Sequence, residues 1–183
     1  MCRSIGHIRF ANMRRLIAAA VSGLLAVALG APARASRPEG PGWEREITPP
    51  FDFAAGVPCD FAVHGEPVVD AVYYKTLTTK PDGTPATQVA VGPLIYRVTN
   101  VATGEATRAD ASSSALLTYR EDGSQTWLLH GPLLVRFREG NGNLPRGLYN
   151  LDGAAWRLDI TADGHLTVSG GYRIIKDVCA TLA

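Results

Sequence analysis

The chain of 183 residues carries 18 Lys+Arg against 17 Asp+Glu, but residues 1–35 hold five arginines and no acid, so the remainder has 13 bases against 17 acids and a net charge of −4. A mildly acidic surface with scattered bases is a poor match for nucleic acid or an anionic membrane. No HExxH, CxxC, Walker or GxSxG motif and no calcium-loop spacing occurs, which removes the commonest metal, redox, nucleotide and serine-hydrolase signatures.

At the N-terminal end, Arg14-Arg15 precedes the apolar run Leu16–Leu29, and Ala31-Pro-Ala33-Arg-Ala35 follows. A positive start, a short apolar stretch and an A-x-A ending make a secretory signal peptide over residues 1–35, cut after Ala35 to leave Ser36. The apolar run is too short to cross a bilayer, which takes about 20 residues. Met13 opens the signal more compactly than Met1, so residues 1–12 read as a miscalled start. The sequence around the paired arginines fits a twin-arginine signal poorly, and no cysteine at the cut supplies a lipid anchor. The cleaved chain is expected outside the cell, with no membrane span.

Residues 36–50 (SRPEGPGWEREITPP) are rich in proline, glycine and charge, and read as a flexible linker with Trp43 as its anchor. The β domain spans 51–183. No window shows capped helical periodicity. Alternation, β-branched and aromatic residues, and Asp-Gly or Thr-Gly turns recur instead. Phe51–Phe53 and Cys59–Val63 are short edge pieces. Long strands follow at Pro67–Thr79, Gln88–Thr99, Ala106–Tyr119, Gln125–Arg138, Gly147–Ile160 and His165–Val178, with Glu139–Arg146 as the longest loop. In Gln88–Thr99 the alternating residues are Val89 and Val91, then Leu94, Tyr96 and Val98.

Nearly every long strand carries glycine or small residues at mid-length: Gly92, Ser112–Ser114, Gly131, Gly153 and Gly170. Glycine inside a strand marks a bulge or a sharp bend. Pro93 and Pro132 lack a ladder donor and belong at those breaks. Long strands bent at mid-length and joined by short turns predict an all-β fold: a single antiparallel, mostly up-and-down β-barrel of about six to eight strands, with a β-sandwich as the alternative.

Cleavage leaves two cysteines, Cys59 and Cys179, near the two ends of the folded part. In an exported chain they read as one disulfide. Several pieces together resemble a group of small, uncharacterised exported proteins of high-GC Gram-positive bacteria. They are Pro50-Phe51 ahead of Cys59, the Gly-Pro-Leu strand followed by Thr99-Asn100 and Thr103-Gly104, the Asp122-Gly123 turn and the ending Asp177-Val-Cys179-Ala-Thr-Leu-Ala183. The resemblance covers residues 50–183. It implies export, a disulfide and a β-rich fold, and it implies no activity.

Candidate chemistry is sparse. His64 and His165 adjoin turns, and three histidines without paired spacing predict no metal site. His130 lies mid-strand beside Gly131-Pro132. If Trp127 and Leu129 face the core it faces outward, unless the bulge re-aims it. A Ser113-His130-Asp110 arrangement and a carboxylate pair drawn from Glu66, Asp70, Asp110 and Asp159 can be written down, but nothing selects them. Three functions follow. A barrel binding a small apolar or aromatic ligand needs an open cavity lined by Tyr96, Trp127, His130, Leu133 and Trp156. A secreted module binding an extracellular protein or glycan needs a packed interior and a working loop, foremost Glu139–Arg146. An enzyme needs an inward polar cluster around His130. The absence of a catalytic constellation favours a non-catalytic binding module with no cofactor.

Overall fold

The structure, a computed structural model, describes residues 37–183, so the signal segment and Ser36 lie outside the described residues. Twelve strands and one short helix follow in chain order. They are β1 (Glu44–Glu46), β2 (Phe51–Phe53), β3 (Val63–Asp70), β4 (Val72–Thr79), β5 (Pro85–Val91), β6 (Leu94–Asn100), β7 (Ala106–Asp110), β8 (Ser114–Tyr119), β9 (Gln125–His130), β10 (Leu133–Phe137), β11 (Gly147–Ile160), β12 (Leu166–Asp177) and α1 (Val178–Thr181).

The pairs β3/β4, β5/β6, β7/β8 and β9/β10 are the halves of four long strands, each broken once. The breaks lie side by side. Ala71 donates its amide to the Pro93 carbonyl, and Ala111 donates to Leu94, whose own amide reaches the Ser112 hydroxyl. Gly131 lies against the backbone of Ser113 and donates to the Gly153 carbonyl. Opposite Gly153, the β11–β12 ladder shifts register and leaves Ala154-Ala155 bulged. One crease therefore crosses six consecutive long strands. Gly92 shows why glycine is needed there: its φ is +126°, and a Cβ would overlap the carbonyl oxygen of Ala71.

All ladders between strands are antiparallel, in two sheets. The larger runs β1-β4-β5-β8-β9-β11-β10 with β12 on the other side of β11, and the smaller runs β2-β3-β6-β7. The expectation of a closed barrel is not met: no ladder joins the ends of either sheet among the described residues, and the sandwich alternative fits. The division into two sheets arises below the crease. The upper halves β8 and β9 pair, but the lower halves β7 and β10 do not. Instead the Asn150 carboxamide takes the place of a strand. Its Oδ1 accepts from the Asp110 amide at 2.9 Å, and its Nδ2 donates to the Asp110 carbonyl at 2.6 Å. Lys176 Nζ adds bonds to Thr107 Oγ1 and the Arg108 carbonyl.

The split leaves β11 as an internal wall, and Gly147–Leu151 is buried throughout. Alternation sends Tyr149 and Leu151 to one side and Leu148 to the other. The first cluster joins Leu117, Leu129, Val135, Phe137, Tyr149, Leu151, Trp156, Leu158 and Val168. The second joins Cys59, Val63, Tyr96, Val98, Ala109, Leu148, Val178 and Leu182. Cys59 and Cys179 form the expected disulfide beside the second cluster. The last strand ends one residue before the expected Val178, and α1 begins there with Asp177 as its N-cap. Residues 44–46 of the expected linker form β1 on the edge of β4, Trp43 lies under Lys75, and Thr48 donates to Asp70. Cys59–Ala62 forms turns rather than an edge strand.

Candidate binding surface

The five cavity candidates do not share a cavity. Trp156 and Leu133 touch the first cluster, and Trp127 packs on it with its indole nitrogen donating to Gln125 Oε1 at 3.0 Å. Tyr96 sits in the second cluster against Phe51, and burial, then the Asp70 charge, pushes its phenol pKa up. An internal space of about 70 Å³ lies at the crease, lined by Val72, Tyr74, Leu94, Trp127, Leu129 and Leu133 among others. That is well below the 300–1,000 Å³ usual for a small-molecule pocket. The aromatic residues fill the interior rather than enclose a vacancy.

His130 is exposed on the outer face of the large sheet, because Trp127 and Leu129 take the core phase of β9. Its Nδ1 is held 2.7 Å from the Ala154 carbonyl, so that nitrogen carries the proton when the ring is neutral. Asp110 accepts from the Ser112 amide, and no hydrogen bond among the described residues joins Asp110 or Ser113 to His130. The other carboxylates are occupied separately. Asp70 holds the N-terminal arm, Asp159 pairs with Arg157, and Glu66 is exposed. No group of three or more His, Cys, Asp or Glu is placed to hold a metal among the described residues.

What the ladder does assemble lies on the outer face. The register aligns Lys75, Val89, Leu116, Leu128 and Arg157 directly across β4, β5, β8, β9 and β11. Three apolar side chains stand in a row where a solvated sheet face is ordinarily polar, and Leu128 is 50% exposed. The Ala154-Ala155 bulge rises at one side, and the resulting groove of about 620 Å³ is bounded by Val89, Leu116, Leu128, His130, Ala155 and Arg157. A second depression of about 430 Å³ continues past His130 over Gly131, Gly153 and Gly171 to the Asp152–Arg173 pair, which closes at 2.7 Å. One groove thus changes from apolar to polar along its length.

The apolar end is flanked by a fixed polar chain. Arg157 Nε lies 2.6 Å from Asp159 Oδ2. Thr126 donates to Asp159 Oδ1 at 2.7 Å, and Arg120 donates to Thr126 at 2.8 Å. The Arg157 hydrogen bond holds the Asp159 carboxyl below its ordinary range, and the same bond raises the Arg157 guanidinium. This is an anchored rim with its charge neutralised locally.

The row was visible in the sequence only indirectly. Val89 and Val91 alternate as core residues would, yet Ala90 between them is the buried one, in the first cluster. The expected working loop is also not free. Asn141 and Asn143 tie Glu139–Arg146 to the start of β12, Leu144 packs on the first cluster, and Arg146 bonds Asp60 and the Gly56 carbonyl. No family model, curated protein or solved structure matches the chain.

Proposed function

We propose that the protein is an exported, non-catalytic binding module whose working surface is the outer groove of the large sheet. The observation that carries this reading is the Val89–Leu116–Leu128 row, an apolar floor held open by β-ladders on both sides. Such a row costs solubility and returns nothing to the core, so a partner that covers it accounts for its presence. The partner's chemistry follows: an apolar or aromatic group, free or borne on an extracellular protein or glycan, with a polar end toward His130 and Arg173. Export rests on the signal pattern over residues 1–35, on the resemblance to small exported proteins, and on a disulfide suited to an oxidising compartment. The enzyme alternative is weaker, because His130 is an exposed residue anchored to a backbone carbonyl with no acid or nucleophile bonded to it among the described residues.

The test uses protein purified from culture medium. Its N-terminal residue is expected to be Ser36 by mass. Titration with the apolar dye 8-anilinonaphthalene-1-sulfonate is expected to give saturable fluorescence that the double variant Leu116→Lys, Leu128→Lys abolishes while the thermal midpoint stays within a few degrees. Unchanged dye binding in that variant sinks the groove, and protein confined to the cytoplasm sinks export.

A further inference from the structure

Each exposed sheet edge offers unpaired backbone groups, and natural edges are shortened, charged or covered. Four edges here follow that rule, among them β10, which is five residues long and carries Arg136. β1 is three residues long and reads Glu-Arg-Glu. β2 is equally short. β7 is five residues long and engaged by Asn150 and Lys176. The fifth edge, β12, pairs with β11 alone among the described strands and runs for 12 residues.

Only the first part of this edge is covered. Leu166 donates to the Asn141 carbonyl and accepts from Asn143. Val168 exchanges the same two bonds with the Asn143 side chain, at 2.9 and 2.7 Å. The N–H and C=O groups of Leu166 and Val168 thus point away from β11. Antiparallel alternation carries the same direction to Tyr172 and Ile174. The register agrees, because Gly153 opposite Tyr172 turns its carbonyl to Gly131 on the far side of β11. No side chain or loop takes these later groups among the described residues.

The charged side chains of this edge are held in pairs, although Arg173 stays exposed. Arg173 is paired to Asp152, and Lys176 is spent on Thr107 and the Arg108 carbonyl. Ile174 and Ile175 are left 47% and 45% exposed side by side. Tyr172 packs against the first cluster at 6.4 Å from the Trp156 ring. Ile174 shares its face two residues on, at the margin of the same core.

We propose that the free edge of β12, Gly170–Ile174, is a self-association site at which a second copy of this chain adds its own β12 antiparallel about a two-fold axis. Centred on Tyr172, the midpoint of that edge, the pairing brings outward groups to outward groups and sets Ile174 opposite Gly170 of the second copy. The absent side chain of Gly170 leaves room for the isoleucine. The two Tyr172 rings meet beside it, so the first cluster becomes continuous across the pair. Arg173 falls opposite Gly171, and neither arginine faces the other. A two-fold contact of this kind needs one surface used twice, and no surface outside β12 enters into it.

The test is sedimentation of the purified, oxidised protein over a wide concentration range, joined to amide hydrogen exchange at its two ends. The expected result is a monomer–dimer equilibrium in which the Tyr172 and Ile174 amides slow in exchange as dimer forms. Ile174→Lys is expected to raise the dimer dissociation constant at least about tenfold, since lysine guards natural edges. Val101→Lys, on an exposed turn, is expected to leave it unchanged. A monomer throughout the range, exchange at Tyr172 and Ile174 that ignores concentration, or protection that needs a different protein would each overturn the proposal. The exchange measurement requires no variant, so it stands even if Ile174→Lys fails to fold.

Discussion

The two clusters on either side of the first half of β11 are held together differently. The first is closed by its own ladders. β8, β9, β11 and β12 are joined edge to edge, and their inward residues meet Phe137, Tyr149 and Leu151. The second is assembled from a small sheet, a loop and the chain end, which no ladder joins to one another or to β11 among the described residues. β3, β6 and β7 face β11, while α1 and the loop before β3 close the end through Cys59–Cys179 and an Asn100 bond to the Leu182 carbonyl. A continuous sheet needs no covalent help, whereas a junction of sheet, loop and chain end does. Burial alone does not distinguish them, since both contain fully buried side chains.

The sharpest way to break this comparison is to remove the disulfide. Closing a loop across 120 residues is worth up to about 5 kcal/mol in unfolded-state entropy, so Cys59→Ser, Cys179→Ser is expected to lose a large part of that by urea denaturation. Hydrogen exchange is expected to accelerate first in β3, β6 and β7, with β9 and β11 lagging. Equal acceleration throughout would show that the clusters are one unit. A finer probe uses the wall itself. Leu148→Ala and Leu151→Ala open cavities on opposite faces of one strand, each costing about 2–5 kcal/mol. Their effects are expected to add within about 0.5 kcal/mol in a double-mutant cycle, and strong coupling would refute the separation.

Two smaller effects test the closures. Asp177 caps α1 by accepting from the Ala180 amide at 3.0 Å, so Asp177→Ala is expected to cost about 1 kcal/mol, felt in the second cluster. The smallest effect is a titration in the first. Burial, followed by the charges of Glu46 and other neighbours, pushes the Tyr74 phenol up to about 12. An unfolded tyrosine titrates near ~10. The folded value is the higher, so this contribution is whole below pH ~10 and is lost as pH rises through about 12. Tyr74→Phe is expected to move the onset of alkaline unfolding upward. A full complement of phenols titrating near ~10 in folded protein would contradict the burial of Tyr74.

The long strands and their breaks were legible because both signals are local. Alternation marks a half-buried strand, and a mid-strand Gly-Pro can hardly be anything but an interruption. The disulfide was legible because, of the three cysteines, only Cys59 and Cys179 lie outside the expected signal segment, which leaves one pairing. Three things were not. The inward phase of β5 is carried by Ala90, too small to register against two valines. β1 is a strand because β4 offers an edge, and its own residues, Glu44-Arg45-Glu46, have no such preference. The division into two sheets is bridged by Asn150, whose carboxamide stands where a ladder would through a contact 40 residues away in sequence. The outer row, a fourth, was hidden for a different reason: its members become neighbours only once three strands are in register.

The crease has a consequence for how the chain reaches this arrangement. Moving any long strand by one residue exchanges its inward and outward faces, and it also carries the strand's small residue off the line. At Gly92 the displaced position would bring Val91 or Pro93 against the Ala71 carbonyl, where even a Cβ does not fit. At Gly131 and Gly153 the amide–carbonyl bond between them would be lost. A misaligned strand is therefore penalised at mid-length, and correct alignment of one strand positions the gap that the next must meet. The row of small residues works as a proofreading line for the assembly of a sheet whose strands are long enough to slip.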